Sequence, residues 1–106
     1  MNYQTKSAMS EPRKKLVESM QALNFGTIEN LLIRHGDPIL DPPPRIIRDI
    51  KLGGENGPRQ ELQKHDFLLK QEIVELCEHL DTIRNGTVCL IVKHGIPFRV
   101  LVEQSR

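Results

Sequence analysis

Two stretches decide the reading: Gly26-Thr-Ile-Glu-Asn-Leu-Leu-Ile-Arg-His-Gly-Asp-Pro38 and Gly86-Thr-Val-Cys-Leu-Ile-Val-Lys-His-Gly-Ile-Pro97. Each reads Gly-Thr, a β-branched residue, a short apolar run, a base, His-Gly, one residue and Pro. The first is one residue longer between its Gly and its His, and in a strand an extra residue is most simply a β-bulge. The match continues upstream at an offset of sixty positions. Leu16 falls on Leu76, Val17 on Cys77, Met20 on Leu80 and Leu23 on Ile83. That spacing is one face of a helix in both copies. Each unit therefore reads helix, Gly, strand, His-Gly turn, strand, and duplication is the economical explanation.

Outward from these stretches the elements follow. Residues 1–9 are polar and read as a disordered terminus. Ser10 is an N-cap, with Glu11 and Pro12 in the first turn of a helix that runs to about Leu23. Thr27 to Arg34 is a strand. Asp41-Pro42-Pro43-Pro44 forces an extended path that no central strand can follow. Arg45–Leu52 reads as a short strand or a helical turn: Ile46, Ile47 and Ile50 suit a helix stripe, while their β-branching favours the strand. Gly53-Gly54-Glu55-Asn56-Gly57-Pro58 is a loop. A second helix covers Asp66 to Arg84, with Leu69, Ile73, Leu76, Cys77, Leu80 and Ile83 as its stripe and Phe67 and Val74 widening it. Thr87–Lys93 and Phe98–Gln104 form a hairpin about His94-Gly95, a type I′ sequence. Gly26, Gly36, Gly86 and Gly95 are expected at turns that demand their backbone freedom.

The expected fold is α+β: two helix–β-hairpin units related by pseudo-two-fold symmetry, with an antiparallel sheet and both helices on one face. Residues 10–106 make a single domain, with unit one at 10–40, a Pro- and Gly-rich connection at 41–58 and unit two at 59–106. Val88-Cys-Leu-Ile-Val92 and Val100-Leu-Val102 are apolar at every position, whereas a strand with one wet face alternates. Both faces of this hairpin therefore call for cover. Two helices can cover one. The other falls to Arg45–Leu52, to a second copy of the chain or to another protein, and a homodimer through the C-terminal hairpin is the expectation.

Leu80-Asp-Thr-Ile-Arg-Asn-Gly-Thr-Val-Cys-Leu-Ile-Val-Lys-His-Gly95 resembles the small bacterial YezD-like family, chiefly in Ile83-Arg84-Asn85-Gly86-Thr87-Val88. The likeness covers about 30 residues. It departs at His94 and in the second, degenerate unit. The resemblance implies a helix–hairpin unit and a bacterial, cytoplasmic protein. It implies no activity.

Composition narrows the function classes. The chain has 106 residues, 38% of them apolar, with 15 Lys+Arg against 14 Asp+Glu. That balance lacks the basic footprint of sequence-independent nucleic-acid binding. No apolar run is long enough to span a membrane, and residues 1–15 have no signal-peptide core. Two cysteines in such a chain read as reduced thiols. Metal candidates His35, His65, His79, His94, Cys77 and Cys89 lack ligand spacing. No nucleophile elbow, catalytic triad order or phosphate loop is present. The sequence thus points to a non-enzymatic interaction or assembly module with no cofactor.

Two binding alternatives use the bases. Arg34 and His35 occupy positions equivalent to Lys93 and His94, and paired turns of this kind can hold an anion, although His before Gly also simply suits a tight turn. Arg45 and Arg48, with Arg13-Lys14-Lys15, Lys51, Lys93 and Arg99, make a modest basic patch for nucleic acid. The acidic second helix and the scarcity of aromatics oppose that reading. Pro42-Pro43-Pro44-Arg45 is either a rigid linker or a pre-ordered ligand for a partner's aromatic groove.

Overall fold

A computed structural model describes residues 9–53 and 70–103. Its elements are α1 (Glu11–Leu23), β1 (Gly26–Arg34), β2 (Asp37–Ile39), β3 (Arg45–Arg48), α2 (Gln71–Ile83), β4 (Gly86–Lys93) and β5 (Ile96–Glu103). The fold is α+β, with five strands in one antiparallel sheet.

Ser10 caps α1, its Oγ accepting from the Arg13 N–H at 3.4 Å. Leu16, Val17, Met20 and Leu23 are buried along one stripe. α2 buries Ile73, Leu76, Cys77 and Leu80 in the same core. It begins later than its apolar period predicts. Lys70 is its N-cap, extended at ψ 153°, so Lys70 itself is not helical. Phe67 and Leu69, counted above in the stripe, lie outside the described residues, as does the loop from Gly54 onward.

Both helices end in the same unusual way. Asn24 (φ 65°, ψ −60°) and Arg84 (φ 64°, ψ −59°) take positive φ. In each, the N–H of the following residue bonds the carbonyl of the preceding one, Phe25 to Leu23 at 2.7 Å and Asn85 to Ile83 at 2.6 Å. These are γ-turns with a positive central φ, a rare and strained form. They correct the expectation for Gly86, which does not adopt a positive φ. The tight conformation falls two residues earlier.

β1 and β4 pair antiparallel at the centre of the sheet. Gly26 lies opposite Val92, Ile28 opposite Leu90, Leu31 opposite Val88 and Ile33 opposite Gly86. The register shifts between Ile28 and Leu31, where Asn30 adopts φ 58°. The extra residue of the first stretch is therefore a bulge. It lets Ile28, Leu31 and Ile33 all reach the core with Val88, Leu90 and Val92.

The His-Gly turns are two-residue loops with positive φ at both positions, 54° and 81° at His35-Gly36 and 55° and 76° at His94-Gly95. That is what a type I′ hairpin requires. Each turn docks on the other unit's helix end. Gly36 N–H donates to the Arg84 carbonyl and Gly95 N–H to the Asn24 carbonyl, both at 2.9 Å.

The units differ at their outer strands. β5 runs beside β4 as one strand, with a single register shift between Ile91 and Val92. Beside β1, the same role is split between β2 and β3, because Pro42 to Pro44 interrupt the ladder. Arg45–Arg48 thus returns to the sheet of unit one, pairing with Gly26–Glu29, instead of belonging to the connection between units. Its place at the edge also means that it does not lie over either face.

Candidate interaction face

The face of the sheet that the described residues leave open follows from strand alternation. On β1 and β4, residues buried against the helices alternate with residues pointing away. Register then assigns the outward set, since directly paired residues share a face. One end of the face carries Ile39, Leu32, Thr87 and Glu103; the middle carries Arg45, Glu29, Cys89 and Leu101; the other end carries Ile47, Thr27, Ile91 and Arg99. Six of these twelve are apolar. Leu101 is 50% exposed and Ile47 39%. Both helices pack on the opposite face, where their buried residues share one core.

Local chemistry on this face is sparse. Arg45 Nε lies 3.7 Å from Glu29 Oε1. Beside the bulge, Glu29, Asn30, Thr87, Cys89, Leu101 and Glu103 line an open hollow of about 300 Å³. The Cys89 thiol is pushed up from its ordinary pKa by burial and then by Glu29. A raised thiol is a poor nucleophile at neutral pH.

The sheet's two edges are less available for pairing. Pro42 to Pro44 break the β2–β3 edge. On β5, a register shift pairs Ile91 with Arg99 and Val92 with Pro97, leaving Phe98 as the extra residue. Phe98 is 55% exposed. Its ring carries the Lys93 ammonium at 4.3 Å from its centroid and the Arg99 guanidinium at 5.7 Å. Prolines, a bulge and flanking charge are the features that keep an edge strand from recruiting another.

The bases singled out by sequence do not converge. Antiparallel pairing of β1 with β4 puts Arg34-His35 beside Gly86 and Lys93-His94 beside Gly26, at opposite ends of the sheet. A nine-residue strand separates them by roughly 25–30 Å, so the two turns do not share an anion. His35 N–H donates to Asn85 Oδ1 at 3.2 Å, and the His94 ring packs edge-on against Phe25 at 4.8 Å. Arg34 Nη1 donates to the Ile33 carbonyl at 3.2 Å. Arg48 pairs opposite Gly26 at the Lys93 end, and Arg45 lies mid-sheet. Among the described residues, no group of three or more His, Cys, Asp or Glu is placed to hold a metal ion.

Arg13 was grouped above with Lys14 and Lys15 as surface charge, and the structure corrects this. It is 6% exposed. Its Nη2 donates to the Gly36 carbonyl at 2.7 Å and to Asp81 Oδ1 at 2.6 Å, and its Nε lies 3.4 Å from Asp37. Arg13 thus ties α1 to the first turn and to α2. A signal existed: at an offset of sixty it falls on Ile73, a stripe residue, and it precedes Leu16 and Val17 by three and four positions. Beside it, burial raises the Cys77 thiol from 9.0 to about 11, against the lowering effect of Arg13.

Comparison of the chain with protein-family models, with curated proteins and with solved structures finds no match. No helix among the described residues is long and apolar enough to cross a membrane.

Proposed function

We propose that the protein is a small, non-enzymatic interaction and assembly module of the bacterial cytoplasm, homo-oligomeric and built from two copies of one helix–hairpin unit. The observation that carries this reading is the open sheet face, where Leu32, Ile39, Ile47, Cys89, Ile91 and Leu101 gather on the side away from both helices. A cluster of β-branched and aliphatic side chains on one face marks a contact surface. The duplication rests on the sixty-residue offset of the helices and on the reciprocal docking of turns on helix ends. Nucleic acid is a weaker occupant, because Arg13 is withdrawn into the interior and Glu29 and Glu103 sit among the remaining bases.

Two lysines placed on the face test the reading. Ile91→Lys with Leu101→Lys is expected to abolish self-association, or the co-purification of a partner protein, while circular dichroism stays unchanged. A wild-type chain that associates with nothing, or whose associations ignore both lysines, contradicts the reading. So does a salt-sensitive shift of mixed DNA or RNA that both lysines strengthen.

A further inference from the structure

We propose that a second copy of the chain occupies the open face, stacked sheet on sheet about a two-fold axis that runs across the strands at the level of Cys89 and Leu101. This rests on the reading of that face as the assembly surface and specifies its occupant and geometry.

The charge pattern selects the axis. Two in-plane axes can stack this face on itself. One along the strands exchanges the outer strand β5 with the β2–β3 side. Arg99 then lies over Ile47, Glu103 over Ile39 and Cys89 over Glu29. That arrangement sets charges on aliphatic side chains and leaves them without partners, which is costly when buried. The axis across the strands instead keeps each strand over its equivalent and exchanges the two ends. Arg99 then faces Glu103 of the second copy, and Glu103 faces its Arg99, since the two stand at opposite ends of β5 across from Ile91 and Thr87. Ile39 meets Ile47, Leu32 meets Thr27 and Ile91 meets Thr87. Leu101 and Cys89 each meet their own counterparts at the axis. Arg45 and Glu29 also meet their own counterparts at the axis, each keeping the opposite charge beside it within its own copy. The complementary charge of Arg99 and Glu103 fixes register between the partners.

Size fits as well. Four strand positions at ~4.8 Å and eight residues at ~3.4 Å make a plane of roughly 500 Å² per copy. Two copies then remove about 1,000 Å² at least, the lower bound for a specific interface. The blunted edges leave face-to-face stacking as the remaining route for the sheet to associate.

The test is a charge exchange read by sedimentation, with a thiol cross-link as the geometric readout. Arg99→Glu and Glu103→Arg are both surface substitutions on an outer strand. Each alone is expected to weaken dimerisation by about tenfold or more, and the double variant to recover to within about threefold of wild type. A short bifunctional thiol-alkylating reagent at mildly alkaline pH is expected to link Cys89 to Cys89 between copies through two thioethers, and Cys89→Ser to abolish the link. A monomer at about 100 µM overturns the proposal. A dimer that ignores both charge changes and gives no Cys89 link overturns this geometry while leaving self-assembly intact. A monomer whose co-purifying partner protein is lost on Ile91→Lys/Leu101→Lys overturns the second copy as occupant, yet keeps the face as an interaction surface.

Discussion

At the scale of the residue, the glycines of the two stretches differ although the sequence makes them look alike. A Cβ on Gly26 would collide with the Ile47 carbonyl oxygen, and its φ of 157° is one that side chains rarely adopt. A Cβ on Gly86 would meet only the Ile83 Cγ2 at 3.4 Å. Gly26→Ala is therefore expected to cost about 2 kcal/mol or more in chemical denaturation and Gly86→Ala less than about 1 kcal/mol. Equal costs would contradict the assignment. The distinction was not legible because it depends on β3, which pairs with unit one alone. Arg13 was misread for a related reason: its basic neighbours Lys14 and Lys15 draw attention to charge, while its position on the stripe determines burial. Cys77 beside it gives a pH prediction. Its folded pKa of about 11 lies above its ordinary value of 9.0. Below pH 9 both states hold the proton and nothing is lost. Between pH 9 and 11 the unfolded chain ionises first, so stability falls as pH rises. The loss attributable to this thiol approaches roughly 2–3 kcal/mol by pH 11. Denaturation of wild type against Cys77→Ala across that range reads it, and parallel curves would contradict it.

At the scale of the element, the helices, the central strands and both turns were legible, because each is specified by local period and punctuation. The bulge was legible too, from a difference of one residue between two stretches. Its consequence can be tested directly. Removing Asn30 leaves Ile28, Glu29, Leu31, Leu32 and Ile33 in regular alternation, with Leu31 still opposite Val88. Deletion of Asn30 is expected to preserve cooperative unfolding with a melting temperature within a few degrees of wild type, since no core residue changes face. Deletion of Leu32 should instead turn Ile33 away from the core and unfold the chain. Failure of the Asn30 deletion to fold would contradict the bulge's independence from the core. The outer strands were less legible. Nothing local to Phe98 says that it is left outside the ladder, and nothing local to Arg45–Arg48 says that it returns to β1 after three prolines.

At the scale of the molecule, the excess of apolar residues in the last hairpin was the informative feature. A strand that is apolar at every position has two faces to cover, and among the described residues the helices on one face leave the other open. The distribution of bases was less informative, because only the antiparallel register reveals that Arg34-His35 and Lys93-His94 lie at opposite ends. The central claim is that the open face holds the protein together with another copy of itself. Sedimentation equilibrium of the wild-type chain and of Ile91→Lys/Leu101→Lys tests it most directly. The account predicts twice the 12.2 kDa of one chain for the wild type and 12.2 kDa for the variant. A mass of 12.2 kDa for both, or twice that for both with unchanged circular dichroism, would contradict it.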